Sequence, residues 1–195
     1  MAGLPAPGRP LTVAGYVALG EDDEYRWELQ EGLLAMMPSP GISHQIAVAE
    51  LFVHLDKGLP SDLVVVPCVD IDLQLVAPNE PATVRRPDLV VVDRAEFDRC
   101  ADGAAILSAR NARLAVEIVA LGSRRMDYLT KRAEYAEAGI PHYWVIDLSP
   151  AVRLLALQLA GEHGYVGDEV TGAFTTTSPY PLTIQLDQLD QLDRY

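Results

Sequence analysis

The run Asp88-Leu89-Val90-Val91-Val92 is apolar without a break after its first residue, so it reads as a strand buried inside a sheet rather than one with a wet face. Leu114-Ala115-Val116-Glu117-Ile118-Val119 and His142-Tyr143-Trp144-Val145-Ile146-Asp147 give two further strands. Before them, Leu63-Val64-Val65-Val66 and the alternation of Val69, Ile71, Leu73 and Leu75 with Asp70, Asp72 and Gln74 make a β-rich run with one polar face. Ser43 is expected to cap a helix carrying Ile46, Ala47, Ala49, Leu51, Phe52 and Leu55 and ending at Lys57-Gly58. Ser123 is expected to cap a second helix reaching Ala138, with Met126, Leu129, Ala133 and Tyr135 as core contacts and Gly139-Ile140-Pro141 as its stop. A short helix is expected near Ala95 to Cys100.

The order from Gly41 to Asp147 is therefore helix, strand, strand, strand, helix, strand, an α/β (α+β) fold with a mixed sheet flanked by helices. Tyr25-Arg26-Trp27-Glu28-Leu29 and Leu33-Leu34-Ala35-Met36-Met37 around Gly32 add an N-terminal β-hairpin, and residues 152–157 with 165–170 a C-terminal one. Residues 1–11, rich in Pro and Gly, read as a flexible arm, and residues 12–195 as one domain.

Two cysteines, Cys68 and Cys100, supply no disulfide framework, and four histidines without a Cys/His cluster give no zinc-finger spacing. The opening residues lack an apolar leader and no segment reaches the ~18 apolar residues of a spanning helix, so a cytoplasmic protein without a membrane partner is expected. The formal net charge of -13 argues against a protein that coats nucleic acid. It does not exclude a local site, because ten of the fifteen Lys and Arg residues fall between Arg85 and Arg132.

Asp88 and Glu117 each sit at the edge of a strongly apolar strand, where a carboxylate without a partner is costly. On neighbouring strands the two acids reach one point and raise each other's pKa unless a cation neutralises them. Two kinds of cation suit the residues: the nearby guanidiniums of Arg85, Arg86 and Arg113, or a divalent ion, for which oxygen ligands favour magnesium or manganese. The paired guanidiniums Arg85-Arg86 and Arg124-Arg125 are candidate phosphate contacts, or else solvated loops. Tyr143-Trp144 suits base stacking, but its apolar strand favours the core.

Trp27-Glu28-Leu29-Gln30-Glu31-Gly32-Leu33, Pro38-Ser39-Pro40-Gly41 with Ser43-His44-Gln45, Arg86-Pro87-Asp88-Leu89, Val116-Glu117-Ile118, and Lys131-Arg132-Ala133-Glu134-Tyr135-Ala136 with Gly139-Ile140-Pro141-His142-Tyr143-Trp144 follow one another in an order that resembles the PD-(D/E)XK nuclease superfamily and, within it, the Uma-two family. The resemblance implies a restriction-endonuclease-like core in which Asp88, Glu117 and the backbone carbonyl of Ile118 ligate Mg2+ or Mn2+. It places Glu31 near that metal through water and His44 at a phosphate or water. The superfamily's lysine falls at Val119 here, and Lys131 on the next helix is the residue expected to replace it in space, with Asp127 one turn earlier placed to pair with it. Val119-Ala120-Leu121-Gly122-Ser123 also departs from the family's Leu-Ser-Pro-Ser turn. Asp70 and Asp72 are candidates to extend the acidic cluster.

The function implied is a metal-dependent endonuclease hydrolysing DNA phosphodiester bonds, acting as a homodimer. The alternative is a regulatory or interaction module that keeps the nuclease fold without cleaving, favoured by Val119, the altered turn and the acidic charge. Hydrolysis of a small phosphorylated molecule is the third reading.

Overall fold

A computed structural model of the chain describes residues 9–20, 22, 25–103, 105–149 and 151–190. In chain order the elements are α1 (Val13–Val17), β1 (Arg26–Gln30), β2 (Leu33–Met37), α2 (Ile42–Asp56), β3 (Leu63–Pro67), β4 (Ile71–Asp72), β5 (Val84–Arg85), β6 (Leu89–Asp93), α3 (Arg94–Cys100), β7 (Leu107–Ser108) and β8 (Ala112–Ile118). A helix follows that opens as a wide π-type stretch (Met126–Lys131) and tightens into α4 (Arg132–Glu137). β9 (His142–Asp147), β10 (Arg153–Leu159), β11 (Tyr165–Thr171), β12 (Ala173–Thr176) and β13 (Leu182–Gln185) complete the chain.

The main sheet runs β11-β10-β9-β8-β6-β3. Its pairs are antiparallel except β8 with β9, which are parallel and so need the crossover that the wide helix and α4 supply. The expected order of helix, three strands, helix and strand is present as α2, β3, β6, β8, α4 and β9, and both expected hairpins form.

Residue alternation divides the buried strands between two cores. Leu89, Val91, Leu114, Val116, Ile118, Trp144 and Ile146 pack against Ala47, Leu51 and Leu55 of α2 and against Ile184, Leu186 and Leu189. Val90, Val92, Ala115, Tyr143 and Val145 face the other way, against Tyr135 and Ile140. Glu117 shares the parity of Ala115, and Asp88 that of Val90, so both acids belong to the α4 side. Leu89 pairs with Val116, which sets Asp88 opposite Glu117 one step further along.

Several elements differ from expectation. A second sheet, β2-β1-β5-β4-β7, covers a small core of Tyr16, Leu29, Ala82 and Val84. The alternating run 69–75 contributes only Ile71–Asp72 to it, and β12 and β13 form a third hairpin. α2 starts at Ile42 with Gly41 as its cap, so Ser43 lies inside the helix and caps nothing. Ser123 instead closes the turn before the second helix, accepting from the Ala120 N–H at 2.9 Å. On that helix Leu129 and Ala133 are exposed, while Asp127, Lys131 and Tyr135, four residues apart, form the buried face. The buried Glu117 beneath it selects the polar face over the apolar one. Residues 1–8 of the expected arm lie outside the described residues; Leu11 is tied to Gly32 and Ala82 by backbone hydrogen bonds. No helix among the described residues is long and apolar enough to cross a membrane.

Candidate active site

β6 and β8 end together at a cleft whose walls carry Asp88, Glu117, Ile118, Lys131, His44 and Asp127. Asp88 Oδ2 accepts the Ile118 N–H at 2.7 Å and lies 3.1 Å from His44 Nε2. The same Nε2 is 3.0 Å from the Ile118 carbonyl oxygen. Both partners are acceptors, so Nε2 carries the proton. Burial works against an imidazolium here, but the bond and charge of Asp88 outweigh it and raise the His44 pKa. His44 Nδ1 is buried without a partner among the described residues.

Glu117 accepts on Oε1 from Lys131 Nζ at 2.9 Å and from the Tyr135 hydroxyl at 2.8 Å. Lys131 Nζ also lies 3.0 Å from Glu28 Oε1. Glu28 in turn accepts from Arg85 at 2.8 Å and from the Arg86 N–H at 3.0 Å, and Arg85 forks onto Glu134 at 2.7 and 2.6 Å. One ammonium is thus shared between two buried carboxylates. Burial pushes the Glu117 carboxyl well above its ordinary range, with Lys131 opposing the shift and the charge of Asp88 adding to it. Glu28 moves the other way: burial raises it, but Lys131 and Arg85 outweigh burial. Lys131 stays charged, because Glu117, Glu28 and Asp127 overcome the lowering effect of burial.

Among the described residues neither strand acid pairs with an arginine. Arg85 goes to Glu28 and Glu134, Arg86 forks onto Asp70 at 2.7 and 2.9 Å, and Arg113 goes to Asp93. Arg85 is fully buried and closed to any phosphate, which removes it from the candidate contacts. Arg86 lines the cleft but is clamped. Arg124 is bound to Asp147 and stacks over Tyr128 at 4.8 Å, and Arg125 is exposed beside it. Glu31 does not reach the site: it is exposed on the β1–β2 turn with its N–H on Thr83. Glu28, three residues earlier, is the carboxylate that β1 delivers. Asp70 and Asp72 lie with the second sheet, Asp70 on Arg86 and Tyr16 and Asp72 on the Gln74 N–H, so they do not extend the cluster. Asp127 takes the Ser123 hydroxyl at 2.5 Å rather than an ion pair with Lys131. Tyr143 and Trp144 are buried, as their strand demanded.

Among the described residues no three His, Cys, Asp or Glu side chains gather to hold a metal by themselves. The donor set is two carboxylates and a carbonyl. Among the described residues, the hydrogen bonds to Glu117 end on Oε1 and those to Asp88 on Oδ2, which leaves Oε2 and Oδ1 without donors there. The carbonyl of Ile118 keeps a second lone pair beyond the one facing His44. Oxygen donors of this kind, beside an under-neutralised Glu117, fit a hard divalent cation.

A family model described as "Uma2: Putative restriction endonuclease" matches residues 13–188. Among solved structures, "a putative nuclease belonging to DUF820 from Anabaena variabilis ATCC 29413" is similar at a TM-score of 0.69 and 15% identity, over 92% of this chain and 97% of that one. At that identity the likeness speaks for the fold. No curated protein matches. With the family model spanning nearly the whole described chain and the fold shared with that structure, the chain belongs to the Uma2 family.

Proposed function

We propose that the chain is a metal-dependent nuclease that hydrolyses DNA phosphodiester bonds at the cleft between Asp88 and Glu117. The observation that carries the reading is that these two acids face each other with, among the described residues, no arginine on either and one oxygen on each without a donor. Magnesium or manganese held by Asp88, Glu117 and the Ile118 carbonyl would polarise the scissile phosphate and lower the pKa of the attacking water. The protein's own groups do the placing. His44 fixes Asp88 and the Ile118 carbonyl relative to each other, and Tyr135 fixes Glu117. Two N–H donors of Lys131 go to Glu117 and Glu28, so the third is available to a water or a phosphate oxygen. Lys131 thereby stands in for the lysine absent at Val119. A homodimer, with one cleft for each strand of a duplex, belongs to the same proposal.

The non-cleaving module is the second reading, favoured by the two carboxylates that already hold Lys131. Nicking of plasmid and single-stranded DNA with magnesium or manganese separates them, comparing the wild type with Asp88→Asn and Lys131→Met, folding checked by circular dichroism. Metal-dependent cleavage that disappears in both variants is the expected result. A wild type inert with either metal on every DNA sinks the nuclease reading.

A further inference from the structure

Side chains alternate along β1, so Arg26 and Glu28 share one face and Trp27 and Leu29 the other. Leu29 enters the small core under the second sheet, and Glu28 is buried against Lys131 and Arg85. Arg26, at the near end of the same face, emerges half-buried in the cleft wall beside Met37, Cys68 and Asp88. Among the described residues, the Lys and Arg side chains that line that cleft are Arg26, Arg86 and Lys131. Lys131 is held by two carboxylates and Arg86 by the fork onto Asp70. Arg26 forms no ion pair among the described residues, and its charge acts on the Cys68 thiol and on His44. Asp88, its neighbour in the wall, is engaged by His44 and the Ile118 N–H. A half-buried guanidinium that ends in a cleft without an anion has donors to offer an incoming one, and its planar fork matches two oxygens of a phosphate.

We propose that Arg26 is the phosphate-binding residue of this cleft, taking non-bridging oxygens of a phosphate ester set against Asp88 and Glu117. The proposal deepens the nuclease reading and rests on it for the identity of the ester. The strand that buries Glu28 beneath Lys131 is the strand that presents Arg26 to the substrate, so positioning of the lysine and binding of the phosphate come from one element.

The test follows 31P line broadening of inorganic phosphate by the full chain, in the wild type, Arg26→Gln and Arg26→Lys, with thermal unfolding as the folding check. Loss of a charge-assisted fork weakens phosphate binding by about tenfold or more in Arg26→Gln, and by less in Arg26→Lys, which keeps the charge without the fork. Broadening that is unchanged in Arg26→Gln, or absent from the wild type, overturns the proposal. If Arg26→Gln is unfolded, Arg26→Lys decides: wild-type affinity in that variant overturns the fork. Plasmid nicking runs alongside, read as KM and kcat. Arg26-dependent phosphate binding without any nicking removes the nuclease reading and keeps the phosphate site. Nicking with the same KM and kcat in Arg26→Gln keeps the nuclease and removes the site.

Discussion

At Glu117, one oxygen receives two donors of different kinds, the Lys131 ammonium and the Tyr135 hydroxyl. Tyr135→Phe removes the hydroxyl and leaves the ring, which meets Tyr143 edge-on at 5.1 Å. The loss of its hydrogen bond to the buried Glu117 carboxyl is expected to cost about 1–3 kcal/mol in urea denaturation. Tyr143→Phe loses a bond to the backbone carbonyl of Asp127 and is expected to cost about 1 kcal/mol. A cost below about 0.5 kcal/mol in Tyr135→Phe excludes that hydrogen bond as one that holds Glu117. The residues of this site were unequally visible beforehand. Asp88 and Glu117 stood out because a carboxylate inside an apolar strand demands a partner, and Lys131 and His44 came with the order of the motifs. Glu28 did not stand out, because in Trp27-Glu28-Leu29 a polar residue between two apolar ones reads as the wet face of a hairpin. What buries it is the helix carrying Lys131, more than a hundred positions away in sequence, and no local pattern records that.

Among the elements, β1 and the helix from Met126 to Glu137 are joined chiefly by charge. Glu28 on β1 meets Lys131, and Arg85 on β5 meets Glu134. Glu28→Ala strips both Lys131 and Arg85 of a buried partner and is expected to destabilise by about 3–5 kcal/mol in chemical denaturation. Glu28→Gln, which keeps an acceptor, loses less. A cost under about 1 kcal/mol for Glu28→Ala shows that the network is decoration. β9 carries a second test. His142 at its start is buried with Nε2 2.9 Å from the Ser178 hydroxyl, and burial lowers its pKa. Below about pH 6.5 the unfolded chain takes up this proton before the folded one, so stability falls as pH drops through that region. His142→Gln is expected to flatten that part of the stability profile, and an unchanged slope excludes His142 as its source. The long strands were legible because their apolar runs leave no other fate than a buried sheet. β4, β5 and β7, two residues each, carry too little pattern to be read. The helix after β8 misled for a physical reason: Leu129 and Ala133 marked an apolar face, but the buried acids beneath required the face with Lys131.

Over the whole molecule, most of the basic residues crowded in sequence are held by the protein's own carboxylates. Of the ten between Arg85 and Arg132, Arg85, Arg86, Arg99, Arg113, Arg124 and Lys131 are each bound to carboxylates on the protein. Among the described residues few of these cations are left for a duplex, and the net charge of -13 repels one at a distance. On the proposed nuclease reading, affinity for DNA comes from the cleft, with Arg26 and Lys131, and from the exposed Arg125. Few phosphates are neutralised by so small a set, and each contributes about 0.9 to the slope of log affinity against log salt on duplex DNA. Anisotropy titrations of a labelled duplex across a salt series are expected to give a slope of about -3 or shallower, flattening further in Arg26→Gln. A slope steeper than about -6 requires about twice as many phosphate contacts as Arg26, Lys131 and Arg125 provide, and places the DNA on a surface other than this one.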